Sequence, residues 1–199
     1  MNRIQFIDTD IIRMRKEYRK EKCTYDFENE QIPVGDNLFG FAYQEIADVG
    51  FHIMLPETFI DMPDEAVKRR YSAVNRPDII KTSPDNMVNL TFSVLPETSK
   101  NAKICLQEIK EGLSEIHVDM VFYSGDVIKT EESEIHWMEF KSFARLDEIY
   151  NIMCVFSFGD RLIMGTFNCV FIEYEDWKPT VLAMLKTIGT RKEQKGVSE

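Results

Sequence analysis

Apolar residues recur along this chain at two periods, and the switches between them mark its elements. From Asp147 to Ile172, two long apolar segments flank Gly159-Asp160. Their pattern predicts adjacent strands over Ile149–Phe158 and Leu162–Ile172, joined by a tight turn. Tyr150, Ile152, Cys154, Phe156 and Phe158 fall on one face, and Ile149, Met153 and Val155 on the other. A strand that is apolar on both faces needs cover on both faces. The pair is therefore expected near the centre of a sheet between helical layers, with Phe156 and Phe167 buried. A two-residue turn pairs Phe158 with Arg161. Partners further along then put Cys169 opposite Tyr150, Thr166 opposite Met153 and Asn151 opposite Asn168.

Other segments alternate in the same way. Phe39–Ile46 and Phe51–Leu55 flank Asp48-Val49-Gly50, which suits a hairpin, with Pro56 ending its second strand. Residues 78–82 and 87–95 flank Pro84-Asp85-Asn86, a second hairpin. In its second strand Val88, Leu90, Phe92 and Val94 alternate with Asn89, Thr91 and Ser93, which predicts an exposed face or a place near an edge. Val118–Tyr123 and Val127–Thr130 flank Gly125-Asp126 and read as two further strands. Glu134–Arg145 reads as another, rich in aromatics.

Helical spacing appears in four places. Asp61-Met62-Pro63 opens a short helix running to about Val74, with Val67, Tyr71 and Val74 on one face. Residues 99–116 carry a stripe of Cys105, Ile109, Leu113 and Ile116, weakened by Gly112. Residues 176–188 stack Trp177, Val181, Leu185 and Ile188, with Asp176 as the expected N-cap and Gly189 beyond the end. Near the start, Asp10 precedes residues 11–21, where Ile11, Met14 and Tyr18 form a narrow apolar stripe. Residues 28–38 are polar and turn-like. They divide a basic arm (1–37) from an α+β domain (38–190), with a charged tail over 191–199.

Charge sharpens that division. The chain of 199 residues carries a net charge of −10. Residues 1–22 hold seven Lys/Arg against four Asp/Glu, a net of +3, which leaves −13 for the rest. A basic arm precedes an acidic body. Such a balance disfavours nucleic acid as a partner. The first residues lack the apolar core of a signal peptide, and no apolar run approaches the roughly 20 residues of a membrane span. No membrane insertion is expected, and the expected location is cytoplasmic.

The residue types that carry catalysis are scattered. His52, His117 and His136 stand alone, no serine lies in G-x-S-x-G, and no glycine-rich phosphate loop occurs. No two of Cys23, Cys105, Cys154 and Cys169 make a C-x-x-C pair, so neither a metal site nor a redox motif is expected, and no cofactor either. In the predicted register Cys154 lies four residues from the partner of Cys169, about 14 Å away at about 3.4 Å per residue, too far for a disulfide. The acids at 131–134 and 173–176 read as solvated charge, with Asp176 at a helix start. The most specific constellation is Asn151, Asn168 and Thr166 on one face. It is either a hydrogen-bonded pair fixing register or the polar floor of a ligand pocket.

The order of elements, together with Leu55-Pro56, Arg70-Tyr71, Val88-Asn89-Leu90-Thr91-Phe92-Ser93, Trp177 and Thr187-Ile188, resembles the PsbP-like superfamily. Its members include the photosystem extrinsic subunit PsbP, a nuclear import factor that binds the Ran GTPase, and bacterial proteins of the DcrB type. Over residues 39–189 the resemblance implies an antiparallel sheet flanked by helices on both faces, an α/β/α sandwich, and it brings no shared catalytic motif. The sequence is read as a non-enzymatic accessory or protein-interaction domain, working through a protein partner or self-association. Ile11, Arg13, Met14, Arg15, Tyr18 and Arg19 are its expected contact arm. The alternatives are a small-ligand domain with a pocket at Asn151, Thr166 and Asn168, and an enzyme of unrecognised type.

Overall fold

A computed structural model describes residues 25–47, 49–71, 76–97, 100–144 and 147–190. The arm residues Ile11, Arg13, Met14, Arg15, Tyr18 and Arg19, and the tail from residue 191, lie outside the described residues.

The Gly159-Asp160 hairpin forms as the apolar pattern requires. β10 (Asp147–Phe158) pairs antiparallel with β11 (Arg161–Val170), with Phe158 opposite Arg161, Asn151 opposite Asn168 and Tyr150 opposite Cys169. Gly159 holds φ 60, a value that glycine adopts without steric cost. The pair lies in the middle of a seven-stranded antiparallel sheet ordered β5-β6-β7-β11-β10-β9-β8. Here β5 is Ile60–Asp61, β6 Ile79–Thr82, β7 Asn89–Val94, β8 Val121–Lys129 and β9 Glu134–Ala144. Phe156 and Phe167 are buried.

Both faces are covered. On one face lie α1 (Asp64–Arg70) and α2 (Ala102–Ile116). Met62, Ala66 and Val67 pack with Ile80 beside α1, and Cys105 and Leu106 pack with Met138, Phe140 and Val155 beneath α2. The other face carries the larger core. There the hairpins β1–β2 (Ile32–Val34, Asn37–Phe39) and β3–β4 (Phe41–Ile46, Phe51–Pro56) join α3 (Tyr174–Leu185). Phe51, Ile53, Leu55, Trp177, Val181 and Met184 meet Phe92, Tyr150, Phe156 and Phe167.

Several elements differ from the sequence expectation. Residues 118–130 are not two strands about a Gly125-Asp126 turn but one edge strand, β8, irregular between Phe122 and Gly125. A Cβ on Gly125 would sit 2.7 Å from the Trp137 carbonyl oxygen, so this glycine serves a close backbone approach and not a turn. β7 lies neither exposed nor at an edge. It runs between β6 and β11, and its polar Asn89 and Thr91 are buried along with Leu90 and Phe92. The segment expected to be turn-like contains most of the β1–β2 hairpin, Ile32–Val34 paired with Asn37–Phe39, and Ile32 and Val34 enter the larger core, as does Phe27. The packed body thus reaches N-terminal of residue 38. In α2 Ala102, Cys105 and Leu106 are buried, and Ile109 and Leu113 of the expected stripe pack partly buried against the same core, but Ile116 is 75% exposed and falls outside it. Asn101 caps that helix by accepting from the Ile104 amide. α3 begins two residues before Asp176, out of a 3-10 turn over Phe171–Glu173. Asp176 is therefore in its first turn and is not its N-cap. Ile172, expected within the second central strand, lies in that turn and is 89% exposed.

Candidate functional site

Strand alternation on β9 puts Trp137 and Glu139 on the larger-core face, where Glu139 is one of the few buried charged groups. A buried carboxylate is costly unless donors surround it. Three do. The Lys178 ammonium from α3 donates to Oε1 at 2.8 Å, the Ser124 hydroxyl from β8 donates to the same oxygen, and the Tyr150 hydroxyl from β10 donates to Oε2. Lys178 also lies 5.9 Å from the Trp137 ring centroid.

The electrostatics of this group are those of a clamp. Burial pushes the Glu139 carboxyl up. The hydrogen bonds from Lys178, Ser124 and Tyr150, with the charge of Lys178, outweigh it and hold the carboxyl below its usual range. Burial, and then the hydrogen bond and charge of Glu139, push the Tyr150 hydroxyl far above its usual value. A general acid or base works best with a pKa near the working pH. Here the carboxylate and the phenol are driven apart, each into the form it already holds. The group fastens β8, β9, β10 and α3 together. The sequence reading missed it. Its only local trace was a Glu in the apolar run Trp137-Met138-Glu139-Phe140.

Toward the surface from Tyr150 the same face becomes aromatic. Tyr174 lies 5.2 Å from Tyr150 and stacks on Phe171 at 4.9 Å, and Tyr123 lies 6.3 Å from Phe171 (ring centroids). Lys141 extends over the Phe143 and Phe171 rings at 5.0 and 4.9 Å, and its ammonium bonds Glu148 at 2.9 Å. Val121, Tyr123, Phe143 and Ile172 are exposed around it. A shallow groove beside them is walled by Phe171, Ile172 and Tyr174 and rimmed by Asp147, Glu148, Glu175 and Asp176. β8 is the last strand of the sheet, so this patch borders an open backbone edge.

Asn151, Thr166 and Asn168 lie on the opposite face, in the strip between the cores of α1 and α2. Register brings Asn151 and Asn168 opposite each other, and Thr166 opposite Met153. Their amides bond elsewhere. Asn151 donates to the Ser142 hydroxyl at 2.9 Å and to the Ile149 carbonyl at 3.1 Å. Asn168 accepts from Asn89 at 3.0 Å, and Asn89 accepts from the Thr82 hydroxyl at 2.7 Å. The Thr166 carbonyl accepts from Thr91 at 3.3 Å. These bonds tie β6, β7 and β11 side by side on one flank, and β10 to β9 on the other.

Among the described residues no group of three or more His, Cys, Asp or Glu could hold a metal ion, and no helix is long and apolar enough to cross a membrane. Cys105, Cys154 and Cys169 are buried free thiols, and burial pushes Cys154 up to about 12.

No protein-family model matches the chain, and neither does any curated protein sequence. Solved structures do match. Cyanobacterial PsbP (CyanoP) from Synechocystis sp. PCC 6803 superposes with a TM-score of 0.57 at 9% identity, over 80% of this chain and 98% of that one. LpqN of Mycobacterium tuberculosis, involved in cell envelope biogenesis, reaches a TM-score of 0.46 at 8% identity, over 78% and 94%. The fold is PsbP-like.

Proposed function

We propose that this PsbP-like domain acts by protein–protein contact, as an accessory or interaction module, and not by catalysis. The observation that carries this reading is the exposed patch of Val121, Tyr123, Phe143 and Ile172 beside the β8 edge. Exposed apolar side chains gathered on one face and rimmed by polar groups mark contact surfaces. The acids beside this patch suit a partner whose apolar contact is ringed by basic residues. The Glu139 group supports the same reading from the chemical side, since its members are held away from proton transfer.

The test uses two exposed positions whose change leaves the core intact. Native mass spectrometry of the full chain, recovered gently from its source cells, is expected to show a stoichiometric protein complex. Ile172→Glu and Phe143→Glu should each abolish it. A complex that survives both substitutions overturns the assignment of the patch. A small molecule retained in stoichiometric amount, and lost in Asn151→Ala, would instead favour the ligand-binding alternative.

A further inference from the structure

We propose that residues 11–21 of this chain dock in cis, through Ile11, Met14 and Tyr18, into the cleft on the outer face of the β3–β4 hairpin. This inference stands apart from the β8-edge patch, which lies elsewhere on the molecule.

The cleft is built from three parts of the fold. Alternation along the hairpin puts Ile53 and Leu55 on the face toward the sheet and Phe41, Tyr43, His52 and Met54 on the other, where Phe41 and Met54 are still buried and Tyr43 is exposed. The segment after α3 closes one side. The Met54 amide donates to the Thr187 hydroxyl at 2.8 Å, and His52 and Gly189 exchange backbone bonds at 2.8 and 3.1 Å. The turn between β8 and β9 closes the other, where Glu132 accepts from the Thr190 amide at 2.8 Å. The cleft is open to solvent and has a volume of about 560 Å³. Tyr43, 44% exposed, is the large aromatic side chain open to it, over Phe41, Met54 and Ile188, which are already buried, and Glu28, Glu131, Glu132 and Lys186 stand at its walls. One buried polar atom there, His52 Nδ1, has no hydrogen-bond partner among the described residues.

Three observations choose the occupant. The first is where the chain emerges. Tyr25 stacks on Phe27 at 5.6 Å, and Phe27 lies 4.5 Å from Phe41, a wall of the cleft (ring centroids). The seven residues from Tyr18 to Tyr25 span at most about 24 Å at roughly 3.4 Å each, which keeps Tyr18 within that distance of the Tyr25–Phe27–Phe41 wall. The second is charge. The arm is basic, with Arg13, Arg15, Lys16 and Arg19 in the segment, and at the cleft walls Glu28, Glu131 and Glu132 outnumber the one cation among the described residues, Lys186. The third is the apolar stripe itself. A segment of eleven residues does not hold a helix alone in water and needs a surface to order on. The C-terminal tail also leaves beside the cleft, after Thr190, but Val197 is its only large apolar residue, so it has no stripe to offer the floor.

Hydrogen exchange on the full chain at low salt tests this. Amides 11–21 are expected to exchange at least tenfold more slowly than in a synthetic peptide of residues 1–24. Tyr43→Asp, at an exposed position, and the triple change Ile11→Asp, Met14→Asp, Tyr18→Asp should each restore the peptide rate. Removing residues 191–199 should not. Carbodiimide coupling should join Lys16 or Lys20 to Glu28, Glu131 or Glu132 at a yield independent of protein concentration. Peptide-like exchange in the native chain overturns the proposal. So does protection that persists in Tyr43→Asp, protection lost with the tail, or protection that grows with concentration and so comes from a second copy.

Discussion

At Tyr150 a single hydroxyl joins the packing of the core to its electrostatics. Its ring is fully buried, and its proton is one of three donors that make an ionised Glu139 tolerable there. Tyr150→Phe keeps the ring and removes the donor. It is expected to cost about 1.5–3 kcal/mol, the range for hydrogen bonds to charged groups, measured by urea unfolding at pH 7. The pH dependence follows from Glu139. Its folded pKa lies below the unfolded one, which is near 4.3 for an ordinary Glu. The stability it supplies is complete above the unfolded pKa and is lost as pH falls through the folded one. Glu139→Gln should therefore lower stability at pH 7 and flatten the acid limb of the stability curve. An acid limb as steep as in the native chain would show that other carboxylates govern it.

Among the elements, β8 and the central hairpin show opposite uses of glycine and aromatics. Gly125 lets β8 approach β9 where any side chain would strike the Trp137 carbonyl. Gly125→Val should cost about 1–3 kcal/mol through that clash. The change should loosen the Ser124 contact to Glu139, read as a shallower acid limb than a core substitution far from it produces. In the hairpin, Phe167 packs 5.7 Å from Trp177 (ring centroids), beneath α3. Phe167→Ala should cost about 3–5 kcal/mol by leaving a cavity in the larger core. Both substitutions can be read by the same denaturation curves.

For the whole molecule, the two cores share a wall. Tyr150, Ile152, Cys154 and Phe156 of β10 belong to the larger core, while Met153 and Val155 of the same strand belong to the core under α2. Neither side can melt without unmaking β10 for the other. Trp137 and Trp177 both report on the larger core, and far-ultraviolet circular dichroism also sees α2. Their unfolding midpoints in urea should coincide. Midpoints that separate would show α2 and its core leaving first.

The sequence by itself determined the central hairpin, its register from Phe158–Arg161 to Asn151–Asn168, and the need for cover on both faces. These are local and periodic properties. A two-residue turn sets every pairing that follows it, and a strand's alternation declares which faces are dry. The stripe Trp177, Val181, Leu185 and Ile188 was legible for the same reason. The antiparallel sheet with helices on both faces followed from the order of elements. Only the tertiary structure decided what depended on neighbours distant in the chain. Gly125-Asp126 has the composition of a turn, and only the close approach of β9 makes it an irregularity in one strand. Asn89 and Thr91 look solvated until β6 and β11 supply their hydrogen bonds. Glu139 looks misplaced in an aromatic strand until Ser124, Tyr150 and Lys178 converge on it from three other elements. A charge or amide states locally only that it needs partners, and the fold alone decides which groups meet that need.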